Sequence, residues 1–247
     1  MTRIANSPMR VSRFYIEQPL ATDQSLTVTG TRSHYIRNVL RLKSGDSLIL
    51  FNGQGGEYQG KISSADRNKV DIEVGEFSSN DRKSPLEIDI GLAVSKHDAM
   101  DFAIQKATEL GVSRIQPLIV SHSSISLSAT DKKISHWQEI CHSACEQCGL
   151  NRPPAVLPLI PFSEWITISA ELCLITEPQG ELKLDGIAVT PKHVAIAIGP
   201  EGGFTPAEIS QAWDQKFTGI NLGTRILRLE TATISMLTLV QSRWGDL

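Results

Sequence analysis

The 247-residue chain is poor in cysteine, with four, and in aromatic residues, at 6%. Four thiols in a chain this long do not make a disulfide framework, so packing has to hold the fold and the thiols are expected to be reduced. Long apolar runs are missing as well. The longest uninterrupted ones, Leu48 to Phe51 and Val194 to Ile198, fall far short of the roughly 18 residues a bilayer span needs, so no transmembrane helix is expected. The amino terminus, MTRIANSPMRVSRFYI, has basic residues but neither an apolar block nor a small-residue cleavage site. It therefore does not read as a secretory signal, and the cytoplasm is the expected compartment. Internal repeats and low-complexity tracts are absent too.

What is present suits one large or two modest globular domains: 40% of residues are apolar and 21% charged, enough for a sizeable core. The formal net charge of −3 hides an asymmetry. Residues 1–75 hold ten Lys and Arg against seven Asp and Glu, which leaves +3 there and −6 in the remainder. Arg3, Arg10, Arg13, Arg32, Arg37, Arg41 and Lys43 make up most of the basic set. Such asymmetry raises nucleic acid as a partner, and an ordinary solvated surface accounts for it equally well.

Up to Gly75 the pattern has period two: Val11 to Ile16, Ser47 to Phe51, Glu57 to Ile62 and Lys69 to Val74 read as half-buried strands. Ser44-Gly45-Asp46 and Asn52 to Gly56 separate them with turn residues that tolerate positive φ. One helix is expected, His34 to Leu40, with Arg37 and Arg41 spaced i, i+4 on one face. These features predict a small β-barrel over residues 1–75 and a polar linker over 76–85. After Pro85 strands (Leu86 to Val94, Ile115 to Val120, Leu172 to Thr176, His193 to Ile198) alternate with helices, which implies an α/β domain over 86–247 with a parallel sheet. The helices are Ala99 to Leu110, closed by Gly111; Trp137 to Cys148; one opened by the capping box Thr205-Pro206-Ala207-Glu208; and a last one from about Thr231 to Trp244.

Cys141, Cys145 and Cys148 have the C-x3-C-x2-C spacing by which radical S-adenosylmethionine enzymes hold an iron–sulfur cluster. If residues 137–148 are helical, however, the outer two thiols stand about 10.5 Å apart along the axis, too far to grip one cluster. Positions i, i+4 and i+7 instead form one apolar face. A glycine-rich turn, Ile198-Gly199-Pro200-Glu201-Gly202-Gly203-Phe204, follows a buried strand, the place where open α/β sheets bind ligands. It lacks both the G-x-G-x-x-G order and a G-K-[ST] ending, so neither a dinucleotide nor ATP is indicated. A second glycine-containing loop, Leu222 to Ala232, carries Arg225, Arg228 and Glu230 into the last helix.

Gly45-Asp46, Gln105-Lys106-x2-Glu109-Leu110-Gly111-Val112, Glu146-Gln147, Gly199-Pro200-Glu201-Gly202-Gly203 and Leu227-Arg228-x-Glu230-Thr231-Ala232 occur in one order along the chain. With them the sequence resembles the 16S ribosomal RNA uridine-N3 methyltransferases of the SPOUT superfamily, from Arg10 to the carboxyl terminus. The resemblance implies a PUA-like RNA-binding barrel, an α/β domain with a deep trefoil knot that holds S-adenosylmethionine, and a homodimer acting on the small ribosomal subunit without a metal. Carried over, the cofactor pocket is formed by Ile175, Thr176, Ile198, Gly199, Pro200, Glu201, Gly202, Gly203, Leu222, Gly223, Ile226 and Leu227. Glu201 and Glu230 are the candidate proton acceptors for N3, and Arg228 the candidate to stabilise the anionic base. Arg10, Arg13, Arg37, Arg41, Lys43 and Arg152 are the expected RNA contacts.

The chain departs from the family pattern at Leu150 and Ser123, where an arginine is usual, at His97 and Ala99, and at Leu229, where a threonine is usual. Those departures leave open an RNA-binding assembly factor that has lost or altered methyl transfer.

Overall fold

The computed structural model describes residues 11–95, 97–123, 130–178, 180 and 184–247. The chain divides into two compact units: residues up to Arg82 together with Cys145–Arg152, and Lys83–Ala144 together with Pro153–Leu247.

In the first unit, β1 (Arg13–Tyr15), β2 (Ser25–Thr29), β3 (Ser47–Phe51), β4 (Glu57–Ala65) and β5 (Lys69–Ser78) form one sheet in the order β1-β3-β4-β5-β2. The β1–β3 pair is parallel and the others antiparallel. Alternation does what it should: Leu26 and Val28, Leu48 and Leu50, and Val70, Ile72 and Val74 all turn into one core with Phe14 and Ile36. The strand β2 was not among the sequence expectations.

The expected helix departs from its 3.6-residue period. α1 (Gly30–His34) passes into a wider π turn over Tyr35–Val39, in which the amide of Leu40 donates to the carbonyl of Tyr35 at 3.0 Å. Arg41 then takes a left-handed φ of 58° beyond the helix end. Arg37 and Arg41 therefore do not share a helix face as the i, i+4 spacing implied.

Residues 145–152 complete hydrogen bonds of the first unit. Glu146 accepts from the Tyr15 amide at 3.0 Å, Asn151 accepts from Arg13 and donates to the Asn80 carbonyl, and Arg152 Nε donates to Asp81 at 2.7 Å.

The second unit is built on a parallel sheet, as the alternation of strands and helices required. Its strands are β6 (Glu87–Ala93), β7 (Arg114–Ile119), β8 (Ala155–Val156), β9 (Ile160–Pro161), β10 (Leu172–Thr176), β11 (His193–Ile198) and β12 (Thr218–Ile220). The order is β12-β10-β11-β6-β7-β8, with β9 also beside β7. The helices are α2 (His97–Glu109), α3 (Thr130–Cys148), α4 (Phe162–Trp165), α5 (Pro206–Asp214) and α6 (Leu229–Trp244).

Both faces of this sheet are covered, which is why β11 reads as a continuous apolar run from Val194 to Ile198. Ile88, Ile90, Leu92, Val194, Ile196 and Ile198 pack with residues of α2 and α6 such as Met100, Ile104, Met236 and Leu237. Ala93, Ala195 and Ala197 pack with Phe162, Trp165 and Phe217. Gly91 permits that close approach, since a Cβ there would lie 2.7 Å from Leu118 and 2.9 Å from Trp165.

Cys141 and Cys145 are wholly buried in the unbroken helix α3. Burial pushes the Cys141 thiol up to about 12. A continuous helix does not gather three thiolates around one cluster, so the iron–sulfur alternative is set aside on geometry.

Candidate functional site

Three parallel strands of the second unit, β10, β11 and β12, end side by side, and the chain leaving each one lines a shared cleft. This is where an open α/β sheet offers loops and free backbone groups to a ligand.

Local chemistry fixes each loop. After β11, the Gly203 amide donates to the Pro200 carbonyl at 2.8 Å and closes the turn, with Gly203 at φ 69°. The next residues form the expected capping box: Thr205 Oγ1 accepts the Glu208 amide at 3.2 Å, and Glu208 Oε2 accepts the Thr205 amide at 2.8 Å. The other oxygen of Glu208 accepts the Ser121 amide at 2.8 Å, so one carboxylate ties two loops. Burial works against charge on Glu208, but the amides and hydroxyls of Thr205 and Ser121 outweigh it and hold the carboxyl below its usual range. Beyond β12, Asn221 Nδ2 donates to the carbonyls of Pro178 and Gly180 at 3.0 and 2.8 Å, and its Oδ1 accepts the Gly223 amide at 2.6 Å. Asn221 thus couples the exits of β10 and β12.

Nine of the expected cofactor residues line this cleft: Thr176, Gly199, Pro200, Glu201, Gly203, Leu222, Gly223, Ile226 and Leu227. Ile175 and Ile198 are instead fully buried in the two cores, and Gly202 lies beside His122 and is not part of the lining. Glu177, Pro178, Ile220, Arg225 and Ala232 line it as well and were missed. The signal for Glu177 and Pro178 was their position directly after a strand. A Cβ on Gly203 or Gly223 would meet no protein atom within 4 Å, so the glycines leave open space in the lining, and both have positive φ.

A second, more open cleft is lined by Asp98, Ala99, Phe102, Glu201, Arg228 and Glu230. The three residues expected to do chemistry are therefore brought together, and Glu201 belongs to both clefts. Ser95 Oγ donates to Glu201 at 2.6 Å. Arg228 is the N-cap residue of α6 but makes no side-chain cap, and it has no side-chain partner among the described residues. Glu230, in the first turn of that helix, has one buried carboxylate oxygen with no hydrogen-bond partner. Leu229 points the other way, at 1% exposure in the core, so its departure from the family pattern alters packing and leaves the cleft lining untouched.

The basic residues of the first unit fall into two kinds. Arg13 is turned inward, its side chain 10% exposed, paired with Glu57 at 2.5 Å, bonded to Asn151 and 5.0 Å from the Phe51 ring. Burial opposes ionisation of Glu57, and the Arg13 guanidinium outweighs it to hold that carboxyl below its usual range. Arg37, Arg41, Lys43 and Arg152 keep solvent-facing side chains, Arg37 donating to the Arg67 carbonyl at 2.7 Å. Arg10 lies outside the described residues.

Among the described residues, one group of metal-ligating type converges at the amino ends of the strands: Glu87, Asp89 and His193. Arg114 engages both oxygens of Asp89, at 2.6 and 2.7 Å, and His193 lies 3.0 Å away, so the carboxylate is already satisfied. No helix among the described residues is long and apolar enough to cross a membrane.

Comparison with known proteins agrees with this geometry. Residues 82–241 match the family described as RNA methyltransferase domain, and residues 28–75 match the RNA methyltransferase PUA domain. The ribosomal RNA small subunit methyltransferase E of Buchnera aphidicola (Schizaphis graminum) is 34% identical, over 96% of this chain and 98% of its own. That of Bacillus subtilis is 30% identical over 93% and 96%. Among solved structures, the methyltransferase E of Neisseria gonorrhoeae bound to S-adenosylmethionine superposes with a TM-score of 0.90 at 34% identity, covering 96% of this chain and 99% of that one. A methyltransferase of Legionella pneumophila in complex with the same cofactor gives 0.93 at 33% identity, over 97% and 100%.

Proposed function

Because the chain belongs to the ribosomal RNA small subunit methyltransferase E family, we propose that it transfers the methyl group of S-adenosylmethionine to N3 of a uridine in 16S ribosomal RNA. Glu201 carries the proposal: it lines both clefts, so a donor held in one and an acceptor held in the other meet at a shared wall.

The first cleft fits the cofactor. Ile220, Leu222 and Leu227 supply apolar walls for a heterocycle, the open backbone at Gly203 and Gly223 admits close approach, and Arg225 suits a carboxylate. When bound, S-adenosylmethionine supplies a methyl group activated by its sulfonium. The chain's own residues do the rest in the second cleft. N3 lies on the Watson–Crick edge, so the target base has to be unpaired or flipped to reach it. Uracil presents there an N–H between two carbonyl oxygens. Glu230, which lines this cleft, accepts the N3 proton, and Arg228 donates to a carbonyl oxygen that gains charge as the proton leaves. Cytosine would set a lone pair against the carboxylate, so the same pair rejects it.

In this reading the first unit is the PUA-like RNA-binding barrel, with Arg37, Arg41, Lys43 and Arg152 at phosphates, while Arg13 serves the fold. The loops at 199–203 and 221–228 belong to a deep trefoil knot. The enzyme works as a cytoplasmic homodimer, without a metal, on the small ribosomal subunit.

Primer extension on ribosomal RNA tests the proposal, since N3 methylation blocks Watson–Crick pairing. A stop at one uridine should vanish in a deletion strain and return with the wild-type gene. An unchanged stop overturns the substrate. Tight cofactor binding without transfer to small subunits would identify an assembly factor instead.

A further inference from the structure

The buried stripe of α2 is Met100, Ala103, Ile104 and Ala107. Phe102 lies off that stripe, 44% exposed. A single exposed aromatic is ordinary by itself. Here the ring lines the same cleft as Arg228 and Glu230. Lys106, held by Glu109 at 2.7 and 2.9 Å, sits 5.3 Å from the ring centroid. The cleft thus combines a hydrogen-bond acceptor, a cationic donor and an aromatic plane, the groups that hold an unstacked base by its edge and by its face.

We propose that Phe102 is the stacking platform for the target base, a positioning residue for the transfer. This rests on the second cleft being the base pocket. A base taken out of the RNA loses its stacking neighbours, and an aromatic face in the pocket replaces part of that stacking. Glu230 and Arg228 address only the edge of the ring, so without a face contact the base is held by its edge alone and leaves the pocket more readily.

The test is steady-state methyl transfer by the full-length protein, with small subunits from a strain lacking the modification as the varied substrate. F102A should raise KM for subunits roughly five- to 150-fold, the range expected for stacking one base on an aromatic ring, with kcat kept within about threefold. F102W and F102Y should restore KM to within about threefold of wild type, while F102L, which keeps apolar bulk without a π face, should not. Affinity for S-adenosylmethionine, measured by calorimetry, should stay within about twofold in every variant, and the thermal midpoint close to wild type, as for other exposed sites.

An unchanged KM in F102A, or an F102L variant as good as wild type, overturns the stacking role. If K106M, with the ring intact, reproduces the F102A defect, the ammonium is responsible and the proposal fails. A changed sedimentation coefficient in F102A with unchanged KM would assign the ring to a subunit contact. Mapping the methyl by mass spectrometry separates the two levels. Transfer to another atom would refute the N3 assignment while the KM ratio still reports on Phe102. No transfer by the wild type would refute the base pocket itself, and this proposal with it.

Discussion

Glu230→Gln should lower activity and leave stability almost unchanged. The carboxylate has one buried oxygen without a hydrogen-bond partner, and stranding a buried acceptor costs about 1–3 kcal/mol. Its place in the first turn of α6 returns about 0.3–1 kcal/mol through the helix dipole. Glutamine keeps the shape but leaves an amide atom stranded in the same place, so most of that cost persists, and with the dipole contribution lost the variant should match wild-type stability to within about 1 kcal/mol. In a chain of this size that is a shift of at most roughly 4 °C in the thermal midpoint.

The chemistry should suffer instead. Losing a positioned proton acceptor lowers the rate about 10²- to 10⁴-fold, or about 3–5 kcal/mol in the barrier. Single-turnover transfer with saturating S-adenosylmethionine, scored as 3-methyluridine by mass spectrometry, measures it. Raising the pH ionises uracil N3 without the enzyme's help, so the gap between wild type and variant should narrow from pH 7 to pH 9. Activity within threefold of wild type, or a gap insensitive to pH, would refute proton acceptance. A stability loss above about 2 kcal/mol would show that Glu230 serves the helix end instead.

Replacing Arg37 and Arg41 by Ala should weaken binding to small subunits and lower its salt slope by roughly one unit for each phosphate the protein no longer neutralises, with cofactor affinity unchanged. An unaltered slope would move the RNA contact elsewhere. Gly91→Ala puts a methyl 2.7 Å from Leu118 and 2.9 Å from Trp165; overpacking of this kind should cost about 1–3 kcal/mol, read as a lower thermal midpoint. Hydrogen bonds from Ser64, Thr27 and Lys69 depress the Asp71 carboxyl from 3.8 to about 2. Its contribution to stability is therefore present above the unfolded value and lost as pH falls through the folded one. Asp71→Asn should flatten the dependence of the thermal midpoint on pH between about 4 and 2, and an equally steep dependence would show that other groups govern it.

Features set by near neighbours were legible in the sequence. The capping box at Thr205 spans three positions, and its residues alone announce its hydrogen bonds. The apolar run of β11 announced a buried strand ahead of the glycine-rich turn. The helix carrying Arg37 escapes a reading built on a period of 3.6, because the Leu40 amide reaches back five residues to Tyr35. The strand Ser25–Thr29 hides its alternation behind hydroxyl side chains, with Leu26 and Val28 as its only apolar members. Arg13 looked like a phosphate ligand because its partners, Glu57 and Asn151, stand 44 and 138 positions away. Glu177 and Arg225 were missed for another reason: each adjoins an expected residue of the first cleft, Thr176 or Ile226, but that lining was carried over from the resemblance and not read from the loops themselves. Glu201, Arg228 and Glu230, which line one cleft, were grouped only through the family motifs, since 27 or more positions separate Glu201 from the others.

The first unit is also discontinuous, which sets an order of events during synthesis. The chain leaves the ribosome amino end first, so all five strands of that sheet are made before Glu146, Asn151 and Arg152 exist. About 70 residues separate Arg82 from Arg152, a lag of about 4–14 s at roughly 5–20 residues per second. Through that interval Tyr15, Arg13 and Asp81 hold these hydrogen-bonding groups in water, and the sheet waits for partners delivered with the end of α3. The part of the protein translated first is sealed only after much of the second unit has been translated.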